Sequence, residues 1–302
     1  MSQTESSPAG GSPFALANTQ AYATWRAHKL AVAARDPATL MVEITDPRNL
    51  STDERARLLA HLRDCNMVFY HRHGAAIDKE DLRALGRQLG LYRLDANICA
   101  DEDSVTSLQV VTTGRHAGYI PYTSRRLSWH TDGYYNAPEQ QIRAILMHCV
   151  RPAAQGGENA YLDHEMLYLL LRDRDPDLIS ALMHPQAMII PPNVDESGEI
   201  RGESTGPVFS LDTQGNLHMR YSARTRNIMW RDDAKTAQAV AAISEILGSA
   251  SPYILHYTLQ ANEGVISNNV LHNRSAFTDD ANQRLLYRAR YYDRVTQTDW
   301  QT

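Results

Sequence analysis

From Val105 onward the chain is divided into short segments with the residue pattern of extended structure, packed close together along the sequence. They are Ser107–Val111, Leu127–Thr131, Arg143–Val150, Glu158–Leu162 and Ala187–Ile190. Val208–Leu211 and Leu217–Tyr221 follow, flanking the hairpin signal Asp212–Asn216. Tyr253–Leu259, Gly264–Ser267 and Arg284–Tyr292 complete the series. Alternating segments send successive side chains to opposite faces of a strand. Pieces this short cannot form a core alone, so their density predicts one sheet-built domain, a barrel or a sandwich.

Helices are expected around this core. Phe14–Ala34 reads as helical, with Trp25 and Leu30 on its apolar side. Ser51 and Glu54 have the spacing of a capping box, and Asp78 caps a second helix that ends at Gly90. Met41–Ile44 and Asn66–His71 read as strands. A Leu-rich helical insert is predicted at about 164–183, interrupted at Pro176, and Asp232 or Asp233 caps a helix to Leu247. The polar stretch at about 194–206 predicts a long surface loop. Residues 1–13, rich in Ser, Gly and Pro, predict a disordered leader without signal-peptide character. Neither a repeat nor a linker divides 14–302, so a single domain is expected, mainly β with N-terminal and inserted helices.

Composition excludes several classes of function. A net charge of −5 offers no basic field for nucleic acid or an anionic membrane. No apolar run approaches the roughly 18 residues of a transmembrane helix. Cys65, Cys99 and Cys149 are odd in number and widely spaced, as in reduced cytoplasmic proteins. A cytoplasmic location is expected.

The chemistry concentrates at Leu127-Ser128-Trp129-His130-Thr131-Asp132-Gly133-Tyr134-Tyr135. In a strand, His130 and Asp132 share a face, so a ring nitrogen and a carboxylate oxygen reach one point. That is two thirds of the 2-His-1-carboxylate set that holds non-haem Fe(II) with positions left open. Of the twelve histidines, His28, His61, His164 and His184 lie in or beside helical stretches and read as structural. His71-Arg72-His73 is an H-x-H with no acid following at ligand spacing. His272 ends the buried run Gly264–Leu271 and is the third ligand indicated by context. After it, Arg284, Leu286, Arg288 and Arg290 alternate onto one face of a strand. Three arginines there fit either a cavity for anions or a set of surface ion pairs.

His-x-Asp, a distant second His and an Arg shortly after it together resemble the TauD/TfdA (taurine dioxygenase-like, clavaminate synthase-like) branch of Fe(II)/2-oxoglutarate oxygenases. The matching residues are Trp129-His130-Thr131-Asp132, Gly156-Gly157-Glu158-Asn159, and His272 with Gln283-Arg284-Leu285-Leu286-Tyr287-Arg288, within about Met41–Tyr292. The resemblance implies a double-stranded β-helix (jelly-roll, cupin-like) core, with Fe(II) on His130, Asp132 and His272. It implies 2-oxoglutarate as co-substrate, its C5 carboxylate on Arg284. Asn159 stands where the family usually has Thr and can still donate a hydrogen bond. Arg288 is either a second co-substrate clamp or a clamp for a substrate anion. Because Asp132 is a carboxylate, unlike its counterpart in halogenating relatives, hydroxylation or desaturation is implied. The implied reaction consumes O2 and releases succinate and CO2.

Tyr122, Arg126, Tyr134 and Tyr135 flank the motif and are the substrate-side candidates. They suit a small polar or anionic molecule: an amino acid, a carboxylic acid or a sulfonate. A homo-oligomer, dimer or tetramer, follows from the resemblance alone. Two other readings have sequence support. Gly202-Glu203-Ser204-Thr205-Gly206 fits the G-x-S-x-G of a serine hydrolase, though it lacks the strand-before, helix-after context. A non-catalytic barrel protein would bind no iron, and the same iron site could also serve oxidative rearrangement.

Overall fold

A computed structural model describes residues 12–95, 104–113, 118–195, 198–224, 226 and 228–300. Most of the expected leader, and Cys99, lie outside these. Pro13 is already docked, its carbonyl accepting from Arg172 Nη1 at 2.7 Å. Phe14 is buried edge-on against Trp25 and Tyr168.

Six α-helices lie among the described residues, and capping explains where they begin. Asn18 accepts from the Ala21 N–H, so α1 runs Thr19–Val32 and starts later than its apolar pattern suggests. Ser51 and Glu54 cap each other's backbone and open α2, Thr52–Cys65. Asn66, left-handed at φ 56°, ends α2, so the next strand begins at Met67. Asp78 and Asp81 form the equivalent box for α3, Lys79–Gln88. The predicted insert is two helices, α4 (His164–Arg174) and α5 (Pro176–Leu182). Asp175 ends the first and caps the second, with Pro176 at the opening position. Asp233 caps α6, Ala234–Gly248.

Two sheets carry the core. The larger has the order Met41–Ile44, Met67–Arg72, Glu263–Ser267, Ala144–Arg151, Leu285–Tyr291, Val105–Leu108. Its first pair is parallel and the rest antiparallel. The smaller, antiparallel, has the order Leu255–Tyr257, Asn159–Leu162, Leu271–Arg274, Leu127–His130. Alternation along Met67–Arg72 sorts the layers. Val68 and Tyr70 pack with Leu58, Leu62, Leu82 and Leu85 of α2 and α3. Met67 and Phe69 face the smaller sheet and join Tyr161 and Leu255. Trp129, Leu162 and Leu271 on that sheet's outer side meet Leu167, Leu178 and Ile243 of α4, α5 and α6. The order is helices, sheet, sheet, helices, and burial of both faces of each sheet is what stabilises the short strands.

One expectation is overturned. The stretch at 194–206 is not an open loop: Asn193–Asp195 pairs with Gly198–Arg201, and Ser204–Gly206 pairs with Met188–Ile190. Its polar composition hid strands whose stability comes from pairing with a neighbour. No helix among the described residues is long and apolar enough to cross a membrane.

Candidate active site

His130 ends the strand Leu127–His130, and His272 lies in the adjacent strand Leu271–Arg274. The register places them directly opposite one another, with ring centroids 4.3 Å apart. Asp132 comes after the strand has ended, in a turn, so it reaches His130 by a different route from same-face alternation. Gly133 has φ +66° and sits against Ile142, where a built Cβ would lie 2.4 Å from a side-chain carbon, so only glycine fits the turn. Asn269, itself left-handed at φ 55°, fixes the backbone. Its Oδ1 accepts from the Asp132 N–H at 2.8 Å, while its Nδ2 donates to the carbonyls of Asp132 at 2.9 Å and Ile142 at 2.6 Å.

The three side chains converge. Asp132 Oδ1 lies 3.3 Å from His130 Nε2 and 3.9 Å from His272 Nε2, and all three residues are 7% exposed or less. His130 Nδ1 lies 2.9 Å from the Ser128 carbonyl and His272 Nδ1 lies 3.0 Å from the Val270 carbonyl. A carbonyl only accepts, so both Nδ1 atoms carry a hydrogen, and it is the Nε2 atoms that face Asp132. Burial, then His130, push the His272 ring down to about 4 against the pull of Asp132, so it is neutral near pH 7. Burial raises the Asp132 carboxyl, but Arg288 beside it and then His130 outweigh this and hold it well below the usual carboxylate range. Two imidazole Nε2 atoms and a carboxylate oxygen thus face one another. A divalent cation resolves that arrangement, so the residues fit the 2-His-1-carboxylate iron set.

The arginines divide. Arg288 Nη1 lies 3.0 Å from Asp132 Oδ2 and 3.4 Å from Oδ1. Only the second contact is aligned as a hydrogen bond, which leaves Oδ2 without an aligned donor. Arg290 is committed to Asp95 and donates to the Tyr135 hydroxyl at 3.1 Å. Arg284 is 6% exposed and stacked on Phe277 at 5.0 Å; its backbone N–H donates to Asp279 Oδ1 at 3.1 Å, but its guanidinium makes no ion pair within 4 Å among the described residues. It lines a small cavity with Gly157, Asn159 and Leu286. A buried guanidinium whose nearest acid, Asp279, reaches its backbone and not its charged head favours an anion in that cavity. Asn159 already gives an amide hydrogen to the Asn273 carbonyl at 2.7 Å.

The residues that the sequence offered for the substrate are spread more widely. Tyr122 is buried in the apolar core between the sheets, whereas Arg126 is exposed. Tyr134 and Tyr135 are half-buried, edge to face at 5.2 Å. Two arginines that sequence reasoning missed fix the segments carrying them. Arg274 Nη2 donates to the carbonyls of Thr123 at 2.7 Å and Arg125 at 2.6 Å. Arg220 donates to the carbonyls of Tyr134 (2.7 Å), Met188 (2.9 Å) and Ser204 (2.6 Å). The serine-hydrolase alternative fails on geometry. Ser204 begins a strand, and its hydroxyl donates to the Asn136 carbonyl at 3.0 Å and accepts from Arg220 at 3.1 Å. That is neither a nucleophile elbow nor a serine beside a base.

The family model for "Taurine catabolism dioxygenase TauD, TfdA family" matches residues 29–290. The chain belongs to that family. A uridine-5'-phosphate dioxygenase of Amycolatopsis sp is 28% identical over 59% of this chain and 65% of its own length. The chain thus spans a little under two thirds of that relative. A Streptomyces sp protein of the same description is 27% identical over 63% of this chain and 70% of its own. Among solved structures, an asparagine oxygenase in complex with Fe(II), 2S,3S-3-hydroxyasparagine and succinate covers 80% of both chains with TM-score 0.57 at 18% identity. The non-heme iron oxygenase OrfP with Fe and alpha-ketoglutaric acid covers 79% of this chain and 81% of its own, with TM-score 0.55 at 14% identity.

Proposed function

We propose that the protein is a non-haem Fe(II)/2-oxoglutarate-dependent dioxygenase that hydroxylates a small polar or anionic molecule. The observation that carries this is the convergence of His130 Nε2, His272 Nε2 and Asp132 Oδ1, with both Nδ1 hydrogens turned away onto carbonyls. His130, Asp132 and His272 would hold Fe(II). When bound, iron and 2-oxoglutarate supply the chemistry that consumes O2, hydroxylates a C–H bond and releases succinate and CO2. The protein supplies the rest. Arg284 takes the distal carboxylate of the co-substrate, with Asn159 beside it. Arg288 keeps Asp132 ionised, and its commitment there favours Arg284 as the co-substrate clamp. The two facing sheets are read as a double-stranded β-helix within a single domain, 14–302.

The substrate reading draws on the relatives, named for a nucleotide and an amino acid. Tyr134, Tyr135 and Arg126 are the side chains proposed to meet the substrate. Anaerobic addition of Fe(II) and 2-oxoglutarate tests the site through a visible charge-transfer band. Wild type should show it and His130→Ala should not; a His130→Ala protein indistinguishable from wild type would sink the reading. Arg284→Ala should raise the 2-oxoglutarate concentration for half-saturation by tenfold or more, the loss of a charge-assisted pair being roughly 1.5–3 kcal/mol. Succinate release screened over nucleotides, amino acids, dicarboxylates and sulfonates identifies the substrate. Product gaining one oxygen atom marks hydroxylation; loss of two hydrogens marks desaturation.

A further inference from the structure

A second group of metal-ligating side chains lies outside this site. His71 and His73 are separated by one residue, and their sequence shows no acid nearby at ligand spacing. The fold supplies one from a neighbouring strand. Glu43 lies directly opposite His71 in the parallel pair at the edge of the larger sheet. The ladder continues one step beyond the strand, with the His73 N–H donating to the Ile44 carbonyl at 3.1 Å. All three donors therefore stand on paired backbone.

Their geometry is specific. His71 Nδ1 lies 2.8 Å and His73 Nε2 2.7 Å from the same Glu43 oxygen, Oε2. The rings meet nearly edge to face at 4.7 Å, and one donor atom from each residue falls within 4.8 Å of the others. Two imidazoles that only shared a carboxylate would gain most by taking one oxygen each, yet both approach Oε2. Ligands each about 2.1 Å from a tetrahedral zinc stand roughly 3.4 Å apart, so a small outward shift opens these donors to an ion. Arg72, between the two histidines, alternates to the other face, where its charge reaches Asp81 of α3. The side chains are 33%, 64% and 51% exposed for His71, His73 and Glu43, so water can complete the shell.

We propose that Glu43, His71 and His73 form a second cation site, on the protein surface, for a borderline divalent metal of the zinc class. Two imidazoles and one carboxylate suit Zn(II), Cu(II) or Ni(II), and with one carboxylate the group is too poor in oxygen for Ca(II) or Mg(II). The site is independent of the oxygenase reading and stands if that reading falls.

Titration calorimetry of metal-free full-length protein with zinc chloride tests it. His130→Ala/His272→Ala, which disables the buried triad, should still take up one equivalent of zinc. That equivalent should be lost when His71→Ala and His73→Ala are added. In a wild-type background, Glu43→Gln/His73→Ala should lower the number of zinc ions bound by one, which keeps the test intact if the triad variant does not fold. The proposal is overturned if the triad variant binds no zinc, or if the uptake survives loss of both surface histidines. It is equally overturned if wild type and Glu43→Gln/His73→Ala bind the same number.

Discussion

Asn269 shows how much of this site rests on one amide. It meets the backbone of Asp132 as a paired strand would, donating and accepting, and it also satisfies the Ile142 carbonyl. At 1% exposure no water can substitute for it. Asn269→Ala leaves three buried backbone groups without partners, and each such group costs about 1–3 kcal/mol. A loss near 3 kcal/mol in urea denaturation is expected, with weakened Fe(II) or Co(II) binding in the fraction that folds. Asn269→Asp should not restore it, because a carboxylate donates to neither carbonyl. Unchanged metal affinity in a folded Asn269→Ala protein would mean the turn positions Asp132 unaided. That His130, Asp132 and His272 converge was legible in the sequence because residue types able to bind a metal are few. Asn269 was not, because a side chain clamping a distant backbone leaves no periodic trace. Asp132 sits between these cases: its place beside His130 was readable, but its setting in a turn depends on Gly133 and Asn269, which become neighbours only in the fold.

At the scale of elements, what could be read was whatever is encoded locally. The caps at Ser51 and Asp78 use residues within one turn and stood plainly in the sequence, and of the two candidates Asp232 and Asp233 the fold uses Asp233. Ser51→Ala should lower stability by about 1 kcal/mol, seen as a drop of a few degrees in Tm by calorimetry. Within 193–206, Ser204–Gly206 was hidden because its partner, Met188–Ile190, lies outside the stretch, whereas Asn193–Asp195 and Gly198–Arg201 pair with each other and were masked by their polar composition. Gly264 belongs to the same class of invisible constraint. It occupies an inner strand of the larger sheet, and a Cβ there would stand 2.3 Å from the ring of fully buried Tyr70, itself stacked on His148. Gly264→Ala should therefore cost about 1–3 kcal/mol through overpacking. A Gly264→Ala protein as stable as wild type would show that Tyr70 can retreat.

Across the whole molecule, Lys29 joins three helices that are distant in sequence. Its ammonium is 2% exposed and contacts Asp163 at 2.6 Å, Glu165 at 2.7 Å and the Asp64 carbonyl at 2.9 Å. It thereby ties α1 to the end of α2 and the start of α4. Burial raises the Glu165 carboxyl, but Lys29 overcomes this and pulls it down to about 2, against an ordinary value of 4.5. A carboxyl depressed on folding stabilises the fold above its unfolded pKa and loses that contribution as the pH falls through the folded one. The urea midpoint should hold down to about pH 5 and fall between there and about pH 2. Lys29→Met leaves two buried carboxylates without their cation and should cost about 3–5 kcal/mol at neutral pH. A midpoint insensitive to acid over that window would show that the helices dock without this charge.

The two guanidiniums that grip carbonyls have a further consequence. Arg220 and Arg274 hold the segments around Tyr134 and Tyr122–Arg125 by main-chain oxygens, an atom every amino acid carries. Their hold does not depend on which side chains those segments display. The side chains of those segments are thus exchangeable while their frame stays fixed, and a library randomised at Tyr134, Tyr135 and Arg126, the contacts proposed above, should change the preferred substrate in proteins that still fold.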